Sequence, residues 1–358
     1  MDVIFDIPVI GLLVQFVVYL GQVLPLISPT ILVLATPIAF GALCGFMNER
    51  SGVVNIGIEG MMLTSAFVGW YVASLVNQAL PGGAGGPLGI TFPLLIGLLG
   101  AVLAGMTVSA LHAWLSITIR ADQIISGTII NILALGLTGY LNTLISQQAP
   151  PTAGSFDRLT APSAIADIPL IGWILKMFIQ QGPIAMSVIL FVIVLQVLLY
   201  RSRWGLRTRA VGEHPRAAET VGIDVIRLRY RNVILGGIFA GLAGGFLTLE
   251  ATNGFQSGMT VGRGFIALAA LIFGRWTPVG AFLAALLFAV SGAIGTAVRI
   301  APPAGDLSGL GDLLTAMPGQ VFTALPYIVT IIVLAGVVGR SVPPAADGQP
   351  YERESKAA

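Results

Sequence analysis

Long apolar runs separated by short polar stretches set the pattern of this chain. Most runs are close to the roughly 20 residues that a helix needs to cross the hydrocarbon core of a bilayer. The pattern predicts an all-α fold, a polytopic membrane helix bundle with about ten transmembrane segments, one or two of them discontinuous. The apolar runs are 8–24, 27–46, 56–76, 93–118, 124–145, 183–200, 232–252, 264–274, 279–299 and 321–338.

Two of these runs are irregular. The run 264–274 is about half the length of a span and is bounded by glycines, and the run 56–76 starts in the polar stretch Asn55–Gly60. Short glycine-bounded segments are typical of broken or re-entrant helices that line a cavity. The pairs Glu59-Gly60 and Arg263-Gly264 also match, which suggests two related halves around a central path; a match this short also arises by chance.

The composition narrows the class of protein. Charged residues make up 9% of the 358 residues, against about 25% in soluble domains, which excludes a soluble globular protein, a disordered chain and a nucleic-acid binder. The single cysteine, Cys44, allows no intrachain disulfide and no cysteine-based metal site. There are two histidines, and neither of the two lysines follows a glycine, so a histidine metal site is disfavoured and a P-loop for ATP is excluded. We expect no catalytic residue, cofactor or metal.

Basic residues predict the orientation of the spans. Eight arginines lie between residues 201 and 231, and an excess of arginine marks cytoplasmic loops. Counting ten spans outward from this loop places both termini in the cytoplasm; if the first run does not cross, the N-terminus lies outside. We divide the chain into an N-terminal helix at 1–24, a transmembrane domain at 25–340 that contains the cytoplasmic loop 201–231, and a disordered cytoplasmic tail at 341–358.

Small residues recur every four positions in several runs. Gly237, Gly241 and Gly245 form one such ridge, and Gly97 and Gly105 belong to another. This spacing lets helix backbones approach closely, so it predicts a compact bundle. We expect most of these contacts to lie within one chain, although the spacing itself does not distinguish them from contacts between two chains.

The loop 201–231 contains a second pattern. Pro215 stands near the start of a short helical stretch and Gly222 just past its end, which are helix-boundary signals. A helix this short is marginal by itself, so we expect a soluble partner to pack on it. The alternative is an ordinary basic loop that holds the topology and contacts anionic lipid.

Polar residues near the spans are candidates for a solute path, since such residues are costly in a membrane. Each also has a structural interpretation: Glu59 lies at a predicted helix N-terminus, where the dipole favours a carboxylate, and the other polar residues can make hydrogen bonds between helices. The candidates for the path are the polar residues Asn55, Glu59, Asn131, Glu250, Asn253 and Arg263, together with Phe255 beside Asn253.

Four ordered segments resemble the membrane permeases of bacterial ABC importers of the nucleoside and simple-sugar type, which are related to the ribose and branched-chain amino-acid permeases. The resemblance covers about residues 25–340 of this sequence. The segments are NERSGVVNIGIEGMML (48–63), ADQIISGTIIN (121–131), GLRTRAVGEHPRAAETVGI (205–223) and GRGFIALAALIFGRWTPVG (262–280).

The resemblance implies one transmembrane permease subunit of an importer in the bacterial cell (inner) membrane. Its partners would be a cytoplasmic ABC ATPase, a second permease chain in a heterodimer, an external substrate-binding lipoprotein and membrane lipid. ATP hydrolysis would belong to the separate ATPase, so this chain is not expected to be an enzyme. The coupling helix that docks on the ATPase would comprise Glu213, His214, Pro215, Arg216, Ala217, Ala218, Glu219 and Gly222.

Nucleosides are the favoured substrates under this interpretation, and simple sugars of the ribose type are the alternative. An ion-coupled secondary transporter is less favoured, because it needs intramembrane carboxylates and leaves the docking helix unexplained. A membrane enzyme is the least favoured, because the sequence shows no nucleophile–base pair and no metal cluster.

Overall fold

The computed structural model describes residues 8–80, 85–146, 152–160, 162, 168, 171–318, 321–322, 324–325, 328, 331 and 341–352. Throughout these residues the regular structure is helical, without strands, as the apolar pattern predicts. The helices are α1 (Pro8–Glu49), α2 (Ile58–Ala79), α3 (Phe92–Ala113), α4 (Gln123–Ser146), α5 (Gly172–Ile179), α6 (Pro183–Arg201), α7 (Arg203–Glu213), α8 (Pro215–Thr220), α9 (Val225–Phe246), α10 (Arg263–Phe273), α11 (Pro278–Ile300) and α12 (Ser308–Ala316).

The described residues contain seven helices that are long and apolar enough to span a membrane. The prediction of about ten segments is therefore not confirmed. The predicted half-span 264–274 is the short helix α10, and the predicted run 321–338 lies largely outside the described residues. The spans are α1, α2, α3 with the π-helical turn Trp114–Thr118, α4, α6, α9 with the π-helical turn Leu247–Ala251, and α11.

The first two apolar runs, expected as separate segments at 8–24 and 27–46, are parts of the single helix α1. Only Pro25 and Leu26 separate the two runs, and the helix continues through them and through Pro29. Pro29 has no N–H for the carbonyl of Pro25, four residues earlier, and the hydroxyl of Ser28 donates to that oxygen instead, at 3.3 Å. Side-chain donors of this kind allow prolines inside membrane helices, so no helix end marks the predicted boundary at residue 24.

The chain divides into two compact units. The first comprises the described residues within Met1–Ala35, Leu159–Gln181 and Leu286–Val338. Within it the Tyr19 hydroxyl donates to the carbonyl of Ala301 at 2.9 Å, and the Gln181 side-chain amide donates to the carbonyl of Pro29 at 2.9 Å. The second comprises the described residues within Thr36–Arg158, Gly182–Ala285 and Gly339–Ala358, and it contains every residue predicted for the path and for docking.

Helices α2, α3 and α9 form the core of the second unit. In α9, 83% of the most apolar window is buried, against 28% in the spans of α3 and α4. The predicted glycine ridges are close contacts between helices. Between α3 and α9, a Cβ on Gly237 would lie 2.6 Å from the carbonyl oxygen of Gly105, and one on Gly241 would lie 2.5 Å from the Cα of Val102. Gly97 of α3 faces α2 instead, where a Cβ would lie 2.7 Å from the carbonyl oxygen of Gly69. These ridges therefore meet within one chain, as expected.

Candidate functional site

The two irregular segments meet at one place, where the start of α2 contacts the start of α10. Glu59 lies in the first turn of α2, and its carboxylate accepts hydrogen bonds from the N–H groups of Gly262, at 2.8 Å, and Gly264, at 2.6 Å. These N–H groups belong to the N-terminus of α10, which has no partners for them inside its own helix. The carboxylate therefore caps α10, and the helix dipole favours its negative charge there.

The backbones at this place are too close for side chains other than hydrogen. A Cβ on Gly264 would lie 2.6 Å from the Cα of Glu59, and one on Gly60 would lie 2.8 Å from the carbonyl oxygen of Ile130. On the other side, a Cβ on Gly127 would lie 2.7 Å from the backbone nitrogen of Gly57. The glycines thus bring α2, α4 and α10 into direct backbone contact.

Asn131 of α4 closes the same place from the side. Its Oδ1 accepts from the N–H of Gly60 at 2.7 Å, and its Nδ2 donates to the carbonyl of Ile56 at 3.0 Å. The side chain of Asn55 is fully buried and folds back on its own turn, since its Oδ1 accepts from the N–H of Gly57 at 2.9 Å. Both amides therefore hold the start of α2.

Four of the predicted path residues lie at this place, which we call the helix crossing: Asn55–Gly60, Asn131 and Gly262–Gly264. The fourth, Arg263, donates from its guanidinium to the carbonyl of Met259 at 2.8 Å. Glu59, Asn131 and Arg263 are half-buried, and Asn55 is buried. Their hydrogen bonds give these residues a structural role at the junction of the broken segments, and their use as a path stays a prediction.

The other three predicted path residues lie at the end of α9 and beyond it. The buried carboxylate of Glu250 accepts from the N–H groups of Ile184, at 2.7 Å, and Ala185, at 3.2 Å, so it caps α6. Asn253 is exposed and has a left-handed backbone, with φ of 57°. Phe255 is buried in a cluster of aromatic rings.

The aromatic cluster is a feature that sequence reasoning missed. Phe255 packs edge-to-face on Phe67, with ring centroids 5.2 Å apart, and lies 6.2 Å from the Trp70 ring. The Tyr71 ring stacks on Phe67 with centroids 6.0 Å apart. The signal was present in the spacing of Phe67, Trp70 and Tyr71, because residues three and four apart share one face of a helix.

The short helix predicted in the loop 201–231 is present as α8, while its role in docking stays a prediction; Glu213 and His214, two of the predicted docking residues, precede this helix. Pro215 is its first residue, and Gly222, just past its end, has φ of +84°. Ala218 is buried against Val211, Val225 and Tyr351. The remaining predicted docking residues divide into an exposed set, His214, Arg216, Ala217 and Gly222, and a half-buried set, Glu213, Pro215 and Glu219.

Residues 341–352, which we call the C-terminal strap, pack beside α7 and α8. This differs from the predicted disordered tail over these residues. The N–H of Ala346 donates to the carbonyl of Gly212 at 2.8 Å, and the N–H of Ala345 donates to the Glu213 carboxylate at 3.2 Å. The Tyr351 hydroxyl donates to the Glu219 carboxylate. The strap and the segment 213–217 enclose an open groove of about 800 Å³.

A buried arginine holds the strap from the other side. Arg229, in the second turn of α9, is 2% exposed. It donates to the carbonyls of Ser51, at 3.0 Å, and Gln349, at 2.9 Å. Burial raises the pKa of Asp347 in the strap to about 7, although the N–H of Gly348 and the charge of Arg229 act in the opposite direction. Buried polar contacts of this kind explain why a segment of polar composition is ordered.

Sequence reasoning gave no special role to Arg229, Tyr351 or Glu49. Arg229 is one of eight arginines in its loop, and nothing in the sequence separates it from the others. Tyr351 is an aromatic residue within a polar tail, which is a signal of packing. Glu49 is buried and accepts from the indole N–H of Trp276 at 2.6 Å. Among the residues that the structure describes, no group of three or more His, Cys, Asp or Glu side chains is arranged to hold a metal.

Comparisons with known proteins agree along almost the whole chain. Residues 28–338 match the family described as branched-chain amino acid transport system / permease component. The guanosine ABC transporter permease protein NupQ of Bacillus subtilis is 39% identical over 335 residues, covering 92% of this chain and 97% of the relative. The nucleoside ABC transporter permease protein NupC of Lactococcus lactis is 35% identical over 329 residues, with the same two coverages.

A third relative carries a different solute in its name. The putative glucose ABC transporter permease protein of Haloferax volcanii is 36% identical over 337 residues, covering 89% of this chain and 95% of the relative. No solved structure matches the chain significantly.

Proposed function

The chain belongs to the permease family of branched-chain amino acid transport systems, and we propose that it is the membrane-spanning subunit of an ATP-driven importer of nucleosides. The choice of nucleosides as the substrate rests on the likeness to a guanosine permease and a nucleoside permease, each over 92% of the chain. The relative named for glucose supports a sugar as the second candidate.

The proposed assembly contains a cytoplasmic ATPase, a second permease chain and an external binding lipoprotein. The described part of this chain offers α8 as the element for the ATPase, because four of the predicted docking residues, His214, Arg216, Ala217 and Gly222, are exposed. ATP hydrolysis would take place in the ATPase, and this chain would supply the path and the docking surface.

The proposed mechanism is alternating access. Closure of the ATPase on ATP displaces α8, and packed helices move as rigid bodies, so the displacement opens one side of a cavity and closes the other. The helix crossing is suited to take part in this movement, because two broken segments meet there through a carboxylate, an amide and four glycines. The path itself should bind its solute weakly, since a tight site would retain it.

We place the loop 201–231 and the C-terminal strap in the cytoplasm, following the arginine count. Helix α1 contains no loop, so its two apolar runs count as one crossing. The seven spans of the described residues, the segment of α10 and the predicted run 321–338 then make nine crossings. Nine crossings put the N-terminus outside, which was the alternative for a first run that does not cross separately.

Uptake of radiolabelled guanosine, adenosine, ribose, glucose and leucine tests the substrate, in cells that express the whole transport locus with or without this chain. Loss of guanosine and adenosine uptake alone is the expected result. Loss of ribose or glucose uptake alone would keep the importer and replace the nucleoside by a sugar. Uptake that persists after ATP depletion and stops with the ion gradient would contradict the ATP-driven mechanism.

A pair of charge reversals in the same loop tests docking. Arg216→Glu changes an exposed residue of α8, and Arg207→Glu makes the same change on an exposed residue of α7. We expect Arg216→Glu to lower the amount of ATPase that copurifies with the tagged chain about tenfold, and Arg207→Glu to leave it near the wild-type level. Equal losses in both variants would favour the ordinary basic loop over a docking helix.

A further inference from the structure

We propose that the C-terminal strap, residues 341–352, is a positioning element that links α8 to the turn Arg50–Gly52 and thereby couples the ATPase to the helix crossing. The inference rests on the proposed function for the role of α8. It concerns how movement of α8 would reach the broken segments, which neither the family match nor the relatives describe.

The first link joins the strap to the docking region. The strap bonds to the end of α7 through Ala346 and to the Glu213 carboxylate through Ala345, at 2.8 and 3.2 Å. It bonds to α8 through the Tyr351 hydroxyl and the Glu219 carboxylate. Tyr351 is also buried against Ala218, the one fully buried side chain of α8. Because α8 has only six residues, these contacts contribute much of the stabilisation that holds it in place.

The second link is Arg229. Its Nη1 donates to the carbonyl of Gln349 in the strap, at 2.9 Å, and its Nε donates to the carbonyl of Ser51 in the turn, at 3.0 Å. Its guanidinium carbon lies 5.9 Å from the centre of the Tyr351 ring, within reach of a cation–π interaction. The turn fits tightly around this side chain: Gly52 has φ of +88°, and a Cβ there would lie 2.6 Å from Nη2.

The third link runs from the turn to the helix crossing. Val54, two residues after Gly52, is held at both backbone groups: its N–H donates to Gln123 Oε1 at 2.7 Å, and its carbonyl bonds to His112 Nε2 at 2.9 Å. Asn55 and the capped start of α2 follow directly. A displacement of the turn therefore also moves Val54 and Asn55, which are hydrogen-bonded to α3 and α4 and lead directly into α2.

The strap has features of a connector. Arg229 donates hydrogen bonds to both the turn and the strap, and a buried arginine that loses such partners is costly. The strap thus joins the docking region and the turn, two segments about 160 residues apart in the sequence, through Arg229, a buried charge that is costly to leave without these partners.

The test uses the importer purified through a tag on this full-length chain and reconstituted in proteoliposomes. Tyr351→Phe keeps the ring over Arg229 and removes the hydroxyl that bonds Glu219. Glu219→Gln removes the charge from the same bond. The matched control is Tyr200→Phe, since Tyr200 is half exposed and its ring lies 5.2 Å from the Arg209 guanidinium. The readout is solute transported per ATP hydrolysed, with ATPase copurification measured in parallel.

We expect the transport ratio to fall about three- to tenfold in Tyr351→Phe and in Glu219→Gln, the range of residues that modulate coupling between sites. The transport ratio of the double variant should be no lower than that of the poorer single variant, because both substitutions act on the same hydrogen bond. Copurification of the ATPase should stay near the wild-type level in Tyr351→Phe, because Tyr351 is not one of the predicted docking residues. Tyr200→Phe should keep the wild-type ratio.

Three results would overturn the inference. The first is an unchanged transport ratio in both single variants, the second is a loss in the double variant equal to the product of the two single losses, and the third is a loss of ATPase copurification in Tyr351→Phe with an unchanged ratio. The ratio is measured with whichever solute the wild-type complex carries. A wild-type complex that carries a sugar would therefore contradict the proposed substrate and still allow the variants to be compared.

Discussion

At the scale of single residues, two carboxylates near the membrane spans have the same structural role, since each caps the start of another helix. Glu59 accepts two N–H groups at the start of α10, and Glu250 accepts two at the start of α6. A helix start exposes N–H groups that have no partner within the helix, and lipid offers none. Each carboxylate therefore satisfies two donors of a second helix and fixes the place where that helix begins.

Glu250→Gln tests this role. The amide keeps one acceptor and turns an N–H₂ group toward a donor, so at least one buried N–H of Ile184 or Ala185 loses its partner. We expect a loss of about 1–3 kcal/mol in the free energy of unfolding, measured as a lower melting temperature of the detergent-solubilised protein. Glu352→Gln is the control, because that exposed side chain pairs with exposed Arg120 and such pairs contribute about 0–1 kcal/mol. Equal melting temperatures for Glu250→Gln and wild type would contradict the capping role.

The pH dependence of stability has a source in Asp347. Its pKa of about 7 in the folded protein lies above the value near 3.9 of an unfolded chain, because the carboxyl group is buried. The folded protein then binds this proton more tightly, so the stabilisation is complete below about pH 4 and is lost as the pH rises through about 7. Asp347→Asn cannot ionise, and we expect it to gain stability relative to wild type between pH 5 and pH 8. A difference in melting temperature between the two proteins that stays constant from pH 5 to pH 8 would contradict the assignment.

Close backbone contact decides the packing at the scale of helices. Gly105 of α3 meets Gly237 and Gly241 of α9, and each glycine leaves no room for a methyl group on its partner's side. The four-residue spacing of small residues predicts close helix contacts, and the structure confirms them and shows which helices make them.

Gly241→Ala tests the glycine contact. A methyl group there would lie 2.5 Å from the Cα of Val102, so α3 and α9 must separate, and overpacking of this kind costs about 1–3 kcal/mol or more. Gly136→Ala in α4 is the control, since nothing lies within 4 Å of a Cβ at that position; alanine should raise helix stability there by up to about 1 kcal/mol. Melting temperatures should move in opposite directions, and a stable Gly241→Ala protein would show that the two helices are not held at this distance.

Some elements could be predicted from the sequence and others could not. Pro215 and Gly222 mark α8 because both residues act through their own backbone geometry. The apolar runs 8–24 and 27–46 did not reveal the single helix α1, because the Ser28 hydroxyl donates to the carbonyl of Pro25 inside the helix and the run boundaries do not report such a contact. The C-terminal strap was missed because its order depends on Arg229, a residue more than 110 positions earlier in the chain, and composition does not report such a partner.

At the scale of the whole molecule, the matching pairs Glu59-Gly60 and Arg263-Gly264 were visible in the sequence, but their contact was not. Similar segments in two halves can face each other or lie apart, and only the fold shows that Glu59 bonds Gly262. The basic loop, in contrast, acts through the membrane as a whole, so its arginine count predicts an orientation without knowledge of any contact.

Cysteine labelling tests this orientation. In a Cys44→Ala background the chain has no other cysteine, so Val221→Cys, 76% exposed just after α8, and Gln256→Cys, exposed after α9, each present one thiol. A membrane-impermeant maleimide should label Gln256→Cys in intact cells and Val221→Cys only after permeabilisation. The unsubstituted background measures nonspecific labelling, and labelling of Val221→Cys in intact cells would reverse the orientation.

The bond between Glu59 and α10 also sets an order of events during synthesis. The two partners lie 203 residues apart, and ribosomes add about 5–20 residues per second. Glu59 is therefore made about 10–40 seconds before its two donors exist. The start of α2 must enter the membrane without these bonds, and a chain that terminates anywhere before Gly262 can never form them. Completion of the helix crossing is thus a late step of biogenesis, at which a finished chain becomes distinguishable from a truncated one.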